Sequence, residues 1–238
     1  MTEGGPILLI DTATTRAVVA LGTAGGTLLE QRRWTAGYRH GEELLARTEA
    51  LLGDRQVTLA DLGAIAVGTG PGAFTGLRVG IATAKGLAHA LGLPIVGIAT
   101  GPALLDAARA ADPAASGLVL VAPAGPNDRV LLRLGEAARI VAGGADLGLA
   151  ADERLVAVDL AGRAPEEAVT LGEAAVDGLA AAMLRAAAAR LAAGDADDLA
   201  TLVPEYVTLP RGVRMPPPDE GVEMSGSEPG PASGGARP

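Results

Sequence analysis

Two short segments of the sequence carry residues that could bind an anion. The first is the turn Asp11–Thr15, where a carboxylate and three threonine hydroxyls follow a short apolar run. Such a turn after a buried strand can face nucleotide phosphates and their Mg²⁺, which makes Asp11, Thr12 and Thr14 candidate nucleotide-facing residues. The same residue types form Asx or Ser/Thr turns that close hairpins. We favour the hairpin turn, because alanine at position 13 leaves a phosphate less room than glycine.

The second segment is the glycine-rich stretch Gly68–Gly80, which lies between an apolar run and a helical pattern. In outline it resembles an anion site at a helix N-terminus. It lacks the Gly-Lys-Ser/Thr of a P-loop, and its spacing does not match a dinucleotide-binding fingerprint. The alternative is a tight backbone turn that starts the following helix.

Metal and hydrolytic chemistry are disfavoured by the residue types present. The only histidines are His40 and His89, and neither has a second histidine or a cysteine at a metal-ligating spacing. The sequence contains no cysteine, which removes thiolate ligands, disulfides and a cysteine nucleophile together. A Gly-x-Ser-x-Gly segment for a nucleophilic serine is also missing.

Charge argues against independent binding of nucleic acid. The 238 residues carry a net charge of −9, whereas neutralising phosphates requires lysine and arginine. The run Gln31–Trp34, with Arg39 and His40 after it, is locally basic and could contact RNA. It is more typical of an edge strand protected by charge. The sequence shows neither a targeting segment nor a membrane-spanning run, so we expect no membrane association and a cytoplasmic location.

Apolar periodicity predicts a mixed α/β sheet in the first half of the chain. Three strands joined by short turns indicate an antiparallel meander, and two more strands follow helical crossovers. The predicted strands are Ile7–Ile10, Ala17–Leu21, Thr27–Arg33, Ala64–Val67 and Ile95–Ile98. The predicted helices are Gly41–Gly53, Thr75–Leu91 and Pro102–Ala111. The order β-β-β-α-β-α-β-α matches one half of the actin/hexokinase/Hsp70 architecture.

A lobe boundary is expected at residues 112–117, where proline, small residues and glycine follow an aspartate. The strands predicted beyond it are Leu118–Ala122, Val130–Leu134, Ala137–Val141 and Leu155–Asp159. An alanine-rich helix is expected from Glu173 to about Ala193, and Asp195, Asp197 and Asp198 are candidate caps of a last short helix. From Arg211 onward the composition is typical of a disordered tail.

Two predicted helices have faces that could meet another protein. On the helix 41–53 an apolar arc is formed by Leu44, Leu45, Thr48, Leu51 and Leu52. The helix 75–91 has one apolar face for the sheet and a second face of smaller residues, which suits close approach of another helix: Val79, Thr83, Gly86 and Ala90. The pattern alone favours burial within the chain and a protein-binding surface equally.

Several segments of the chain resemble the TsaB family, also called YeaZ. They are Ile10–Thr14, His40–Leu45, Gly68–Ala88, Pro94–Thr100 and the C-terminal Pro204–Val207, which resembles the Pro-x-Tyr motif of that family. The likeness is close over residues 7–105 and loose afterwards. One departure is Ala122–Leu131, where the second acidic phosphate loop of ATP-hydrolysing relatives is absent, which weighs against nucleotide hydrolysis.

The resemblance implies an actin-like, Hsp70-like (ASKHA, ribonuclease H-like) two-lobed fold. We expect a first lobe at residues 1–111, a smaller second lobe at 112–210 and a tail at 211–238. It implies a heterodimer with the catalytic subunit TsaD and an association with the ATPase TsaE. Such complexes transfer a threonylcarbamoyl group to N6 of adenosine 37 in tRNAs reading ANN codons. This chain would be non-catalytic and without a cofactor; ATP and a metal are expected on partner subunits, and tRNA contacts mainly through the complex.

The resemblance also implies where the partner binds. The two helices of the first lobe would pack against the matching helices of TsaD. The contacts map onto Leu44, Leu45, Thr48 and Leu52 together with Val79, Thr83, Gly86 and Ala90. Three alternatives stay open: an actin-like ATPase or small-molecule kinase that uses Asp11, a metallopeptidase, and a homodimer formed when TsaD is absent.

Overall fold

A computed structural model describes residues 4–35, 40–115 and 117–207, with only the backbone of residues 40–42. These residues belong to one compact unit. The predicted tail at 211–238 lies outside the described residues, as do Arg39 and the side chain of His40. In the described part of the chain, no helix has both the length and the apolar content needed to cross a bilayer.

The first sheet has five strands in the order β3-β2-β1-β4-β5. Its strands are β1 (Ile7–Asp11), β2 (Arg16–Gly22), β3 (Leu28–Thr35), β4 (Ala64–Gly70) and β5 (Ile95–Ala99). Strands β1, β2 and β3 pair antiparallel, while β4 is parallel to both β1 and β5. The predicted meander with two parallel additions is therefore confirmed.

Two helices cover one face of this sheet, and a third leads to the second sheet. They are α1 (His40–Asp54), α2 (Phe74–Leu91) and α3 (Thr100–Ala111), with a short 3-10 turn at Leu59–Asp61. α1 contacts β2 and β3, whereas α2 contacts β1, β4 and β5. α2 ends at Leu91 and is capped by Gly92, whose φ of 65° turns the chain so that Leu93 N donates to the carbonyl of Ala88.

The second sheet has four strands in the order β8-β7-β6-β9. They are β6 (Gly117–Pro123), β7 (Asp128–Arg133), β8 (Arg139–Ala142) and β9 (Glu153–Ala157). β6 and β9 are parallel, and the other pairs are antiparallel. One buried core includes side chains from both sheets and from the helices between them. The division into lobes at 111/112 stays a prediction.

The last helix, α4 (Glu166–Ala192), packs against α3 and both sheets. It begins seven residues before the predicted Glu173, because its first turns also face the second sheet: Ala168 is buried there with Val121 and Ala157. The predicted short helix after it is wrong. Asp198 accepts bonds from the N–H groups of Ala200 and Thr201, which closes a single turn.

Candidate partner-binding surface

The turn after β1 is closed off by the chain itself. Asp11 is fully buried; its Oδ2 accepts a bond from the Thr100 hydroxyl at 2.7 Å, and its Oδ1 accepts one from Ala13 N at 3.1 Å. Thr12 donates its hydroxyl to the carbonyl of Gly76 in α2, and Thr14 bonds the backbone of Arg16 across the turn. This is the hairpin-closing turn that the residue types favour.

The glycine-rich stretch packs directly onto that turn. A Cβ atom at any of four glycines would overlap an atom of Asp11, Thr12 or Ala13: Gly68, Gly72, Gly76 and Gly80. Ala73 N also donates to the carbonyl of Ala13 at 2.7 Å. The stretch therefore brings α2 into contact with β1, which fits the tight backbone turn that starts this helix.

The outer end of the turn is also occupied. Thr15 donates its N–H and its hydroxyl to the Asp159 carboxylate, at 2.8 and 2.5 Å. Burial raises the pKa of Asp11, although the bonds from Thr100 and Ala13 oppose this shift. A buried carboxyl with a raised pKa and both oxygens bonded does not fit a phosphate-bound Mg²⁺. The nucleotide-facing roles of Asp11, Thr12 and Thr14 stay a prediction, and these hydrogen bonds favour the hairpin turn instead.

The outward face of α2 is made of small residues, as predicted. Gly86 and Ala90 are exposed, and Val79 and Thr83 are half-buried. A Cβ atom on Gly86 would meet nothing within 4 Å. The opposite face contains Leu77, Ile81, Ala84 and Ala88, which are buried against the sheet. α2 therefore presents a shallow, apolar strip on which another helix can approach closely.

On α1 the predicted partner-binding set needs correction. Leu44, Thr48 and Leu52 are buried in the chain's own core, and the Thr48 hydroxyl donates to the carbonyl of Leu44. The apolar arc of the helix is its core face, so these three side chains cannot form an accessible surface. Leu45 points outward with 54 % of its surface exposed, and it lies beside exposed Ala46.

A contact that the sequence did not predict lies on the flank of α2. Arg78 Nε donates to the hydroxyl of Tyr206 at 2.9 Å, and Lys85 Nζ donates to the carbonyl of Leu202 at 3.2 Å. The Arg78 guanidinium lies 3.8 Å from the centroid of the Phe74 ring. Arg78 and Lys85 thus hold the C-terminal part of the described chain against the helix.

The basic run on β3 is neutralised by nearby acidic groups. Arg32 pairs with Glu30 and Asp54, and Arg33 pairs with Asp177 of α4. β3 lies at the edge of the sheet, which fits an edge strand protected by charge. RNA contact at this run stays a prediction.

His89 is exposed in the last turn of α2. Within the described ranges, no group of three or more histidine, cysteine or acidic side chains is placed to hold a metal ion.

Comparison with known proteins identifies the family of the chain. The family model described as "TsaD: tRNA N6-adenosine threonylcarbamoyltransferase" matches residues 34–212. The tRNA threonylcarbamoyladenosine biosynthesis protein TsaB of Escherichia coli is 38% identical over 94 residues, covering 40% of each chain. An uncharacterized protein of Mycobacterium tuberculosis is 42% identical over 93 residues, covering 39% of this chain and 44% of that protein. The chain thus spans less than half the length of the curated relatives it matches.

A solved structure supports the fold. YeaZ from Pseudomonas aeruginosa superposes with a TM-score of 0.66 and 24% identity, covering 85% of this chain and 99% of that one. Together with the two mixed sheets and four helices of the described residues, this confirms the two-lobed actin-like α/β fold.

Proposed function

Because the chain belongs to the TsaB/YeaZ family, with a TsaD-type domain, we propose that it acts in the synthesis of threonylcarbamoyladenosine in tRNA. Its role is to bind and activate the catalytic subunit TsaD as a non-catalytic partner. The complex transfers the threonylcarbamoyl group to N6 of adenosine 37 in tRNAs that read ANN codons. TsaE, ATP and a metal belong to the partner side of this reaction, and the tRNA is held mainly through the complex.

The observation that carries this proposal is the outward face of α2. A strip in which Gly86 and Ala90 are exposed leaves backbone close to the surface, and an incoming helix can pack against it at short distance. Leu45 of α1, the helix that contacts α2, adds an exposed branched side chain. Exposed apolar surface next to small residues is typical of a protein-binding site.

An accessory role is supported by the closed turn after β1. Asp11 has no access to solvent, and its oxygens are already bonded within the chain. The ATPase or kinase alternative needs that carboxylate at the phosphates, which its burial and its existing hydrogen bonds disfavour. The net charge is −9, and Arg32 and Arg33 are paired with acidic side chains. This leaves little positive charge for phosphates and favours a partner subunit as the main tRNA-binding component.

Charged substitution of the strip tests the proposal. Ala90→Asp and Leu45→Asp should abolish co-elution with purified TsaD of the same organism in size-exclusion chromatography, since each buries an unpaired charge at the contact. Ala189→Asp is the matched control, because Ala189 is likewise an exposed alanine near the C-terminal end of a helix, α4. Co-elution of folded Ala90→Asp with TsaD at wild-type levels would refute the proposal. Without TsaD the same strip can pair two copies, which light scattering of the isolated chain measures.

A further inference from the structure

The described chain ends in an irregular segment, Asp195–Val207, here called the C-terminal strap. Asp197 N donates to the carbonyl of Ile95 at 2.8 Å, and Gly97 N donates to the Asp197 carboxylate at 2.6 Å. Further along, Glu205 N donates to the carbonyl of Thr69 at 2.8 Å. The strap is thus anchored to β5 and then to the end of β4.

From Leu202 to Tyr206 the strap follows one flank of α2. Lys85 holds the carbonyl of Leu202, and Arg78 holds the hydroxyl of Tyr206. Arg78 and Lys85 are seven residues apart, which is two turns or about 10 Å along the helix axis. The strap therefore runs antiparallel to α2 over that distance, and the Tyr206 ring lies 5.2 Å from the Phe74 ring at the start of the helix.

The strap and α1 lie on opposite sides of α2. α1 packs over β2 and β3, α2 over β1, β4 and β5, and the strap pairs with β5 at the far edge of the sheet. On the helix itself, Gly86 is rotated about 80–100° from Arg78 and Lys85. The small-residue strip therefore lies between α1 on one side and the strap on the other.

The strap also exposes large apolar side chains to solvent. Val203 is 62 % exposed and Tyr206 is 37 % exposed, although both lie on a segment that is bonded to the sheet and the helix. Leu45 provides a comparable group on the α1 side. An ordered segment that leaves such groups in solvent, and that is bonded to the flank of the helix that carries the strip, has the features of a binding surface.

We propose that the strap is the third element of the partner-binding surface. The subunit that covers α2 also covers Val203 and the Tyr206 ring, so the contact extends from α1 across α2 to the strap. Arg78 and Lys85 act as positioning residues, because they fix the strap against the helix before the partner arrives. The inference rests on the proposed function and names a part of the surface that the two helices alone do not contain.

Affinity measurements with TsaD of the same organism test the inference. Val203→Asp should weaken binding about tenfold or more, as expected for a charge placed at an apolar contact. Leu149→Asp is the matched control, because Leu149 is 40 % exposed but lies in the segment between β8 and β9. The affinity of Leu149→Asp for TsaD should stay within about twofold of wild type. Tyr206→Phe keeps the ring and removes only the bond to Arg78, so it should weaken binding less than Val203→Asp.

The readouts separate this inference from the proposed function. Loss of binding in Ala90→Asp with unchanged binding in folded Val203→Asp overturns the strap and leaves the helix contact standing. Unchanged binding in both variants overturns the proposed function itself. Hydrogen exchange of the wild-type complex needs no variant: slower exchange of the amides from residue 199 to 207 on adding TsaD supports the strap, and unchanged exchange there refutes it.

Discussion

Two glycines on the same helix should respond oppositely to alanine. A Cβ at Gly76 would overlap the carbonyl of Thr12, so α2 must move away from the turn. That movement breaks the bond from Thr12 Oγ1 to Gly76 O at 2.7 Å and strains the bond from Ala73 N to Ala13 O. The two weakened bonds together cost about 1–3 kcal/mol, and overpacking costs about another 1–3 kcal/mol. The higher helix propensity of alanine offsets up to ~1 kcal/mol of this.

We therefore expect Gly76→Ala to lower the free energy of unfolding by about 3 kcal/mol, and Tm by ~6–12 °C for a chain of this size. Gly86→Ala is the control, because a Cβ there meets nothing within 4 Å. It should raise the free energy of unfolding by about 0.5–1 kcal/mol through helix propensity alone. Urea denaturation followed by circular dichroism measures both. Equal effects of the two substitutions would refute the packing of the glycine stretch on the turn.

Three further predictions concern ionisable groups. Burial raises the pKa of Asp11, so its contribution to the free energy of unfolding is complete below about pH 3.9 and is lost as pH rises through the folded-state pKa. Asp11→Asn should remove this pH dependence of the free energy of unfolding, as measured by urea denaturation at several pH values. The Arg133 guanidinium lowers the pKa of Glu153 to about 2, so the contribution of this carboxylate to the free energy of unfolding is present above about pH 4.5 and is lost towards pH 2. In Glu153→Gln the free energy of unfolding should therefore fall less steeply over this pH range. Calorimetric titration with Mg-ATP should show no binding that Asp11→Ala removes, and tight binding lost in that variant would restore the ATPase alternative.

The order of strands and helices was accessible from the sequence. Short apolar runs between glycine-containing turns mark β1, β4 and β5, and the 3.6-residue period marks α1 and α2. The start of α4 was missed, because Gly172 and the β-branched Val169 and Thr170 weaken the helical pattern in its first turns. Tertiary packing overrides that weakness, since α4 lies against both sheets.

Periodicity could not separate a core face from a binding face. On α1, the apolar arc contains Leu44 and Leu52, which the sheet covers, whereas Leu45 is the exposed member. The α2 strip was found because small residues at Gly86 and Ala90 lie off the large apolar face. The strap was missed, because the bonds from Arg78 to Tyr206 and from Lys85 to Leu202 join residues more than a hundred positions apart. Local spacing carries no signal for such contacts.

If the outward face of α2 serves threonylcarbamoyladenosine synthesis through a partner, as proposed, a charge on that face should lower the amount of this nucleoside in tRNA. The most direct test depletes the chain in its own organism, re-expresses variants and quantifies threonylcarbamoyladenosine in total tRNA by mass spectrometry. Wild type and Ala189→Asp should restore the nucleoside, and Ala90→Asp should not, although all three are equally folded and abundant. Full restoration by Ala90→Asp, or persistence of the nucleoside after depletion, would contradict the account.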